Sequence, residues 1–143
     1  MDKFDKKQLR EIEIGKRKKL NVSWYAKPQF SPLQMKQIRY GLENKVNVSW
    51  YADPRLAPNQ MEQIRLGLEK GLDVSWYANP QLNWKQMSVI RYGLQFGVDV
   101  STYAKPELSW QEMDIIRLNL QGSGLSEDYI RYLHREQKFE PIQ

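Results

Sequence analysis

Residues 21–124 repeat with a period of 26 and no gap. The copies span residues 21–46, 47–72, 73–98 and 99–124. Nine columns are identical in all four, represented in the first copy by Val22, Ser23, Tyr25, Ala26, Pro28, Met35, Ile38, Arg39 and Leu42. Residues 1–20 form a partial copy in the same register: Phe4, Gln8, Leu9, Ile12 and Gly15 align with Phe30, Gln34, Met35, Ile38 and Gly41. A short fixed period is the mark of stacked repeats. One unit cannot bury its apolar face alone, so the chain supplies the next unit to cover it.

Each copy reads as two helical pieces. The longer opens at Ser31-Pro32-Leu33-Gln34, a capping box with proline at the first helical position, and Asn83…Gln86 and Ser109…Glu112 repeat the box. Ala57…Gln60 lacks the capping side chain, which predicts a weaker start. Met35, Ile38 and Leu42 recur as one helical face, the first two returning as Met61 and Ile64, Met87 and Ile90, and Met113 and Ile116. Gly71-Leu72 and Gly97-Val98 read as left-handed stops. The shorter piece, Val48-Ser49-Trp50-Tyr51-Ala52, is held to about one turn by Asn47 before it and Pro54 after it. Its Val48, Tyr51 and Ala52 are expected inward, with Leu56 and its equivalents Phe30, Leu82 and Leu108 filling the gap between the pieces. Glycine recurs inside the long helix at Gly41, Gly67 and Gly93 and becomes Asn119. It costs about 1 kcal/mol against alanine there, so a neighbouring backbone is expected to pass too close for a side chain.

The fold class expected is therefore all-α, an α-solenoid of four tandem helix–loop–helix repeats in a single domain over residues 1–143. Residues 1–20 cap one end and a helix over 125–138 caps the other, with Ser126 as N-cap, Tyr129 and Leu133 covered, and 139–143 as a tail.

The phrase VSWYA-x-P followed by QMxxIRxGL, over roughly residues 21–121, resembles a short helical tandem repeat of uncharacterised bacterial proteins, many encoded by mobile elements or phages. The resemblance implies a helical repeat and carries no assigned activity or catalytic residues. Thr102, Asn119 and Gly122–Gly124 depart from the pattern, as a terminal repeat would.

Chemistry is thinly represented. The chain has one histidine, His134, and no cysteine, which leaves no metal-ligating pair and no disulfide. No glycine loop precedes a strand–helix unit. The carboxylate pairs Glu11/Glu13 and Glu127/Asp128 read as solvated charge near the ends. No catalytic, metal or cofactor site is expected, and the protein is read as a non-enzyme. The first residues lack the apolar stretch of a secretory signal, and no run approaches the roughly 18 apolar residues of a membrane span. A cytoplasmic protein with no membrane partner is expected.

The net charge of +5 is unevenly placed, with eight Lys/Arg against four Asp/Glu in residues 1–20. Lys16-Arg17-Lys18-Lys19 there either complements a helix C-terminus or gives a foothold for nucleic acid or an acidic protein. Trp24, Trp50 and Trp76 form a row that ends at Thr102. Such a row either packs between repeats or forms a partner-binding surface. Arg39, Arg65, Arg91 and Arg117 recur beside the inward isoleucine, and their strict recurrence favours a structural task, with Glu62 and Asp114 as partners three residues earlier.

Function is expected in the variable columns. Lys27, Asp53, Asn79 and Lys105 share one; Gln29, Arg55, Gln81 and Glu107 a second; Leu33, Asn59, Lys85 and Gln111 a third; Lys36, Glu62, Ser88 and Asp114 a fourth. Trp84 and Trp110, in place of prolines, are expected to add exposed aromatic surface. The reading is a non-catalytic protein-binding module: an adaptor, scaffold or inhibitor, for a mobile element an inhibitor of a host defence complex. Trp24, Trp50, Trp76, Trp84, Trp110, Arg55 and Lys85 are its candidate contact residues. The alternatives are nucleic-acid binding through the basic end with the arginine and tryptophan rows, and a self-associating structural spacer.

Overall fold

A computed structural model describes residues 3–122. The expected capping helix over 125–138, the tail, His134 and the Glu127/Asp128 pair lie outside the described residues. Among the described residues every regular element is helical. The long helices are α1 (Lys6–Arg17), α2 (Pro32–Glu43), α3 (Pro58–Glu69), α4 (Trp84–Gln95) and α5 (Trp110–Leu120). Three-residue 3₁₀ turns alternate with them at Val22–Trp24, Val48–Trp50, Val74–Trp76 and Val100–Thr102. The chain forms two compact units, Met1–Gly71 and Leu72–Gln143. In the first, α1 packs on α2 and α2 on α3; in the second, α4 packs on α5. Within each unit consecutive repeats lie side by side, as in an α-solenoid. No helix among the described residues is long and apolar enough to cross a membrane.

The long helices start where the capping residues place them. Ser31 Oγ accepts from the Gln34 N–H at 3.1 Å while Gln34 Oε1 accepts from the Ser31 N–H at 2.7 Å. Asn83 with Gln86, Ser109 with Glu112, and Asp5 with Gln8 do the same. At α3 only one half survives, from the Ala57 N–H to Gln60 Oε1 at 2.7 Å, because alanine has no acceptor to return. The helices stop in left-handed backbone, at Gly71 (φ 70°) and Gly97 (φ 75°), and also at Lys19 (φ 60°) and Lys45 (φ 61°).

The core is built from the recurrent columns. Met35, Ile38, Met61, Ile64, Met87, Ile90 and Met113 are fully enclosed, as are Tyr25, Tyr51, Tyr77 and Tyr103. Phe30, Leu56 and Leu82 are buried as expected, while Leu108 in the last copy is half-buried. The leucine column is not. Leu42, Leu68 and Leu94 are half-buried and Leu120 is exposed, and Ile116 in the last helix is half-buried. The covered face of α2 instead includes Gln34, Arg39 and Gly41.

The glycine column also has a different cause from the expected one. A Cβ on Gly41 would lie 2.0 Å from the Tyr51 hydroxyl and 2.7 Å from Val48 Cγ1. Gly15 meets Tyr25 and Val22 in the same way, and Gly93 meets Tyr103 and Val100. The close neighbour is thus the next turn's tyrosine side chain, not its backbone. The hydroxyl crosses the helix to donate to a carbonyl four residues before the glycine: Glu11 O from Tyr25 at 2.7 Å, Gln37 O from Tyr51 at 2.6 Å. Burial pushes the Tyr25 phenol from 10.0 up to about 12, partly offset by the Arg39 charge.

Candidate partner-binding surfaces

Two recurrent polar columns turn out to hold one repeat to the next. Gln8 Nε2 donates to the carbonyls of Pro28 at 3.2 Å and Phe30 at 2.7 Å. Gln34 does so to Pro54 and Leu56, and Gln86 to Pro106 and Leu108. Each glutamine therefore caps its own helix with its oxygen and clamps the following loop with its nitrogen. Glu112 keeps the first task and has no N–H for the second. This double use was invisible in the spacing, which showed only the cap.

The arginine row is engaged in the same way. Arg39 is buried, with Nε donating to Glu11 Oε2 at 3.0 Å and Nη1 to Glu43, which also meets Lys18 at 3.3 Å. Glu11 is accordingly buried in an ion pair, which corrects its reading as solvated charge; Glu13 is exposed and pairs with Arg17 at 3.3 Å. Arg65 reaches Gln37 Oε1 at 3.1 Å, Glu69 at 2.7 Å and Glu62 at 3.9 Å. Arg117 pairs with Asp114 at 2.6 Å and with Gln121. Arg39 and Arg65 both lie over the Tyr40 ring, at 5.0 and 5.3 Å; Arg91, itself buried, and Arg117 lie over Tyr92 at 4.8 and 5.7 Å. A guanidinium charge held this way between rings and acids belongs to the stack.

The tryptophans behave oppositely. At the first three 3₁₀ turns the tyrosine is fully buried and the tryptophan before it points outward. Trp24 is 36% exposed, and Trp50 and Trp76 are 43% exposed. The direction follows from the turn: its stop at Tyr25 N–H to Val22 O, 2.9 Å, aims the phenol at α1 and turns the adjacent indole away. Asn21 and Asn47 cap their turns through the Ser23 and Ser49 N–H groups at 3.3 and 3.1 Å, which fixes the turn carrying each indole. Asp73 does this for Trp76.

Trp84 and Trp110 do not add exposed aromatic surface. Trp110 is buried and Trp84 half-buried, and Lys85 lies against both rings, its ammonium 4.6 Å from the centre of the first and 5.3 Å from that of the second. Exposed aromatic area comes instead from Tyr92 and Phe96, which the repeat pattern did not single out. Arg55 is exposed and closes a local pair with Asp53 at 2.7 Å, and its hydrogen bonds hold the Asp53 carboxyl below its ordinary 3.8. In the basic run, Lys16 and Arg17 occupy the last turn of α1, Lys18 caps it and Lys19 takes the left-handed position. All four are exposed.

The variable third and fourth columns line a groove between the N-terminal halves of α1 and α2, about 630 Å³ in volume. Asp5, Lys7, Arg10, Glu11, Pro32, Leu33 and Lys36 line it, with Ser31 at its edge. Among the described residues no cluster of acidic side chains and histidine could hold a metal ion. What stands out as surface chemistry is the exposed indoles, Trp24 and Trp50 in the first unit and Trp76 in the second, and the groove between α1 and α2. No family model, curated protein or solved structure matches the chain.

Proposed function

We propose that the chain is a non-catalytic protein-binding repeat module, acting as an adaptor, scaffold or inhibitor, with its exposed tryptophans as anchors. One observation carries the reading. Trp24, Trp50 and Trp76 stand at one register with more than a third of each side chain in solvent, beside tyrosines that are wholly enclosed. The fold spends the tyrosine on packing and leaves the indole outside. Tryptophan is the side chain that most often dominates a protein interface, because a large rigid surface is desolvated at little cost in conformational freedom. If the chain is encoded by a phage or mobile element, as the repeat resemblance implies, the concrete form is a blocker of a host defence complex.

Nucleic-acid binding has less behind it. Arg39, Arg65 and Arg117 are committed to acids and glutamines of the stack, so the basic end would have to carry the phosphate contacts alone.

The decisive experiment is affinity capture from the native host with the wild type and with Trp24→Ser/Trp50→Ser. The variant should lose the captured protein while still unfolding in one cooperative transition. Undiminished capture, or a collapse of the fold, refutes the anchor role.

A further inference from the structure

We propose that the groove between α1 and α2 is a second contact site, and that it takes an acidic peptide segment of a partner carrying an apolar side chain between its carboxylates. Its cations are Lys7, Arg10 and Lys36. Its two acids are already engaged. Asp5 Oδ1 accepts from the Gln8 N–H at 2.8 Å as the cap of α1, and Glu11 Oε2 accepts from Arg39 at 3.0 Å. Among the described residues none of the three cations makes an ion pair. The lining therefore presents three cations outside any ion pair, beside one carboxylate held by Arg39 and one held by a helix cap.

The same lining holds Leu33, 59% exposed, next to Pro32 in the chain. Phosphates would gain nothing from an exposed leucine. A peptide with spaced carboxylates and an apolar side chain fits both features. The feature is local to this end of the array. In the same columns the third copy has Lys85, spread over two indole rings, and the second has Asn59 and Glu62. Residues 1–20 hold most of the chain's net positive charge, which would also steer an acidic partner here.

The test is an NMR titration of the full ¹⁵N-labelled chain with three probes: a peptide alternating glutamate and leucine, an all-glutamate peptide, and a single-stranded DNA oligonucleotide. The Glu/Leu peptide should shift the amides of Lys7, Arg10, Leu33 and Lys36 and bind more tightly than the all-glutamate peptide. Lys7→Glu/Lys36→Glu should weaken it at least about tenfold, or about 1.4 kcal/mol. Leu33→Ser should abolish the preference for leucine, and Trp24→Ser/Trp50→Ser should leave peptide binding intact, which separates this site from the indole row. Melting curves of each variant confirm folding. Absent shifts, shifts indifferent to the Lys7/Lys36 and Leu33 changes, or tighter binding of DNA at the same amides would overturn the proposal.

Discussion

At Gly41 the space for a Cβ is already taken by the Tyr51 hydroxyl and Val48 Cγ1. Alanine there would push the phenol out of its bond to the Gln37 carbonyl, and overpacking of this kind costs about 1–3 kcal/mol. Gly41→Ala is expected to lower stability by that amount. Tyr51→Phe alone should cost about 1 kcal/mol, the net worth of one hydrogen bond. The double variant should be more stable than the sum of the two changes implies, since removing the hydroxyl relieves the worst clash; denaturant unfolding of the four proteins measures the coupling. Strict additivity would mean that glycine is kept for another reason. Glycine recurrence revealed a close approach in the sequence but could not name the atom, because backbone and side chain leave the same mark.

At the level of single helices, start and stop signals are separable. Ala57 has φ −68° and ψ 158°, against −69° and 163° at Ser31, so serine fits the site without strain. Ala57→Ser should supply the missing half of the box and stabilise the protein by about 1 kcal/mol. At the other end, Lys45 holds φ 61° where Gly71 and Gly97 hold the same region without a Cβ. Lys45→Gly should stabilise by up to about 1 kcal/mol, the left-handed penalty less the extra freedom glycine gains in the unfolded chain. Thermal unfolding checks both, and a loss in either case contradicts the cap geometry. The boxes were fully legible in the sequence because they are local. The second task of Gln8, Gln34 and Gln86 was not, because their carbonyl partners lie about twenty residues away.

Over the whole molecule the ionisable groups bound the pH range of the fold. On the acid side four carboxyls among the described residues lie below their ordinary values. Asp53 is lowered by Arg55, Asp99 by the Ser101 hydroxyl and N–H, and Glu112 by the Ser109 N–H; for Glu69 burial pushes upward but bonds from Asn44 and Arg65 outweigh it. A depressed carboxyl stabilises the fold above its unfolded value and loses that contribution as pH falls through the folded value. On the alkaline side burial raises all four core tyrosines, Tyr25 and Tyr103 to about 12. A raised phenol contributes fully below its unfolded value of 10.0 and is lost as pH climbs towards the folded one. Stability should therefore hold level from about pH 6 to about pH 9, fall below about pH 4.5 and fall again above about pH 10. Denaturant midpoints across that range measure it. Tyr25→Phe/Tyr103→Phe should flatten the alkaline fall; an unchanged fall would mean that these phenols do not set it.

Much about this protein was determined by the sequence itself: the period, the helix boundaries, the methionine and isoleucine core and the inward tyrosine all follow from short-range spacing. Contacts between neighbouring repeats decided the rest. They buried Glu11 under Arg39, folded Trp84 and Trp110 around Lys85, left the leucine column half-covered, and opened a groove in which three cations remain uncommitted. The physical reason is the direction of side chains. Periodicity says which residues share a face, but only a packed neighbour determines which of them water still reaches.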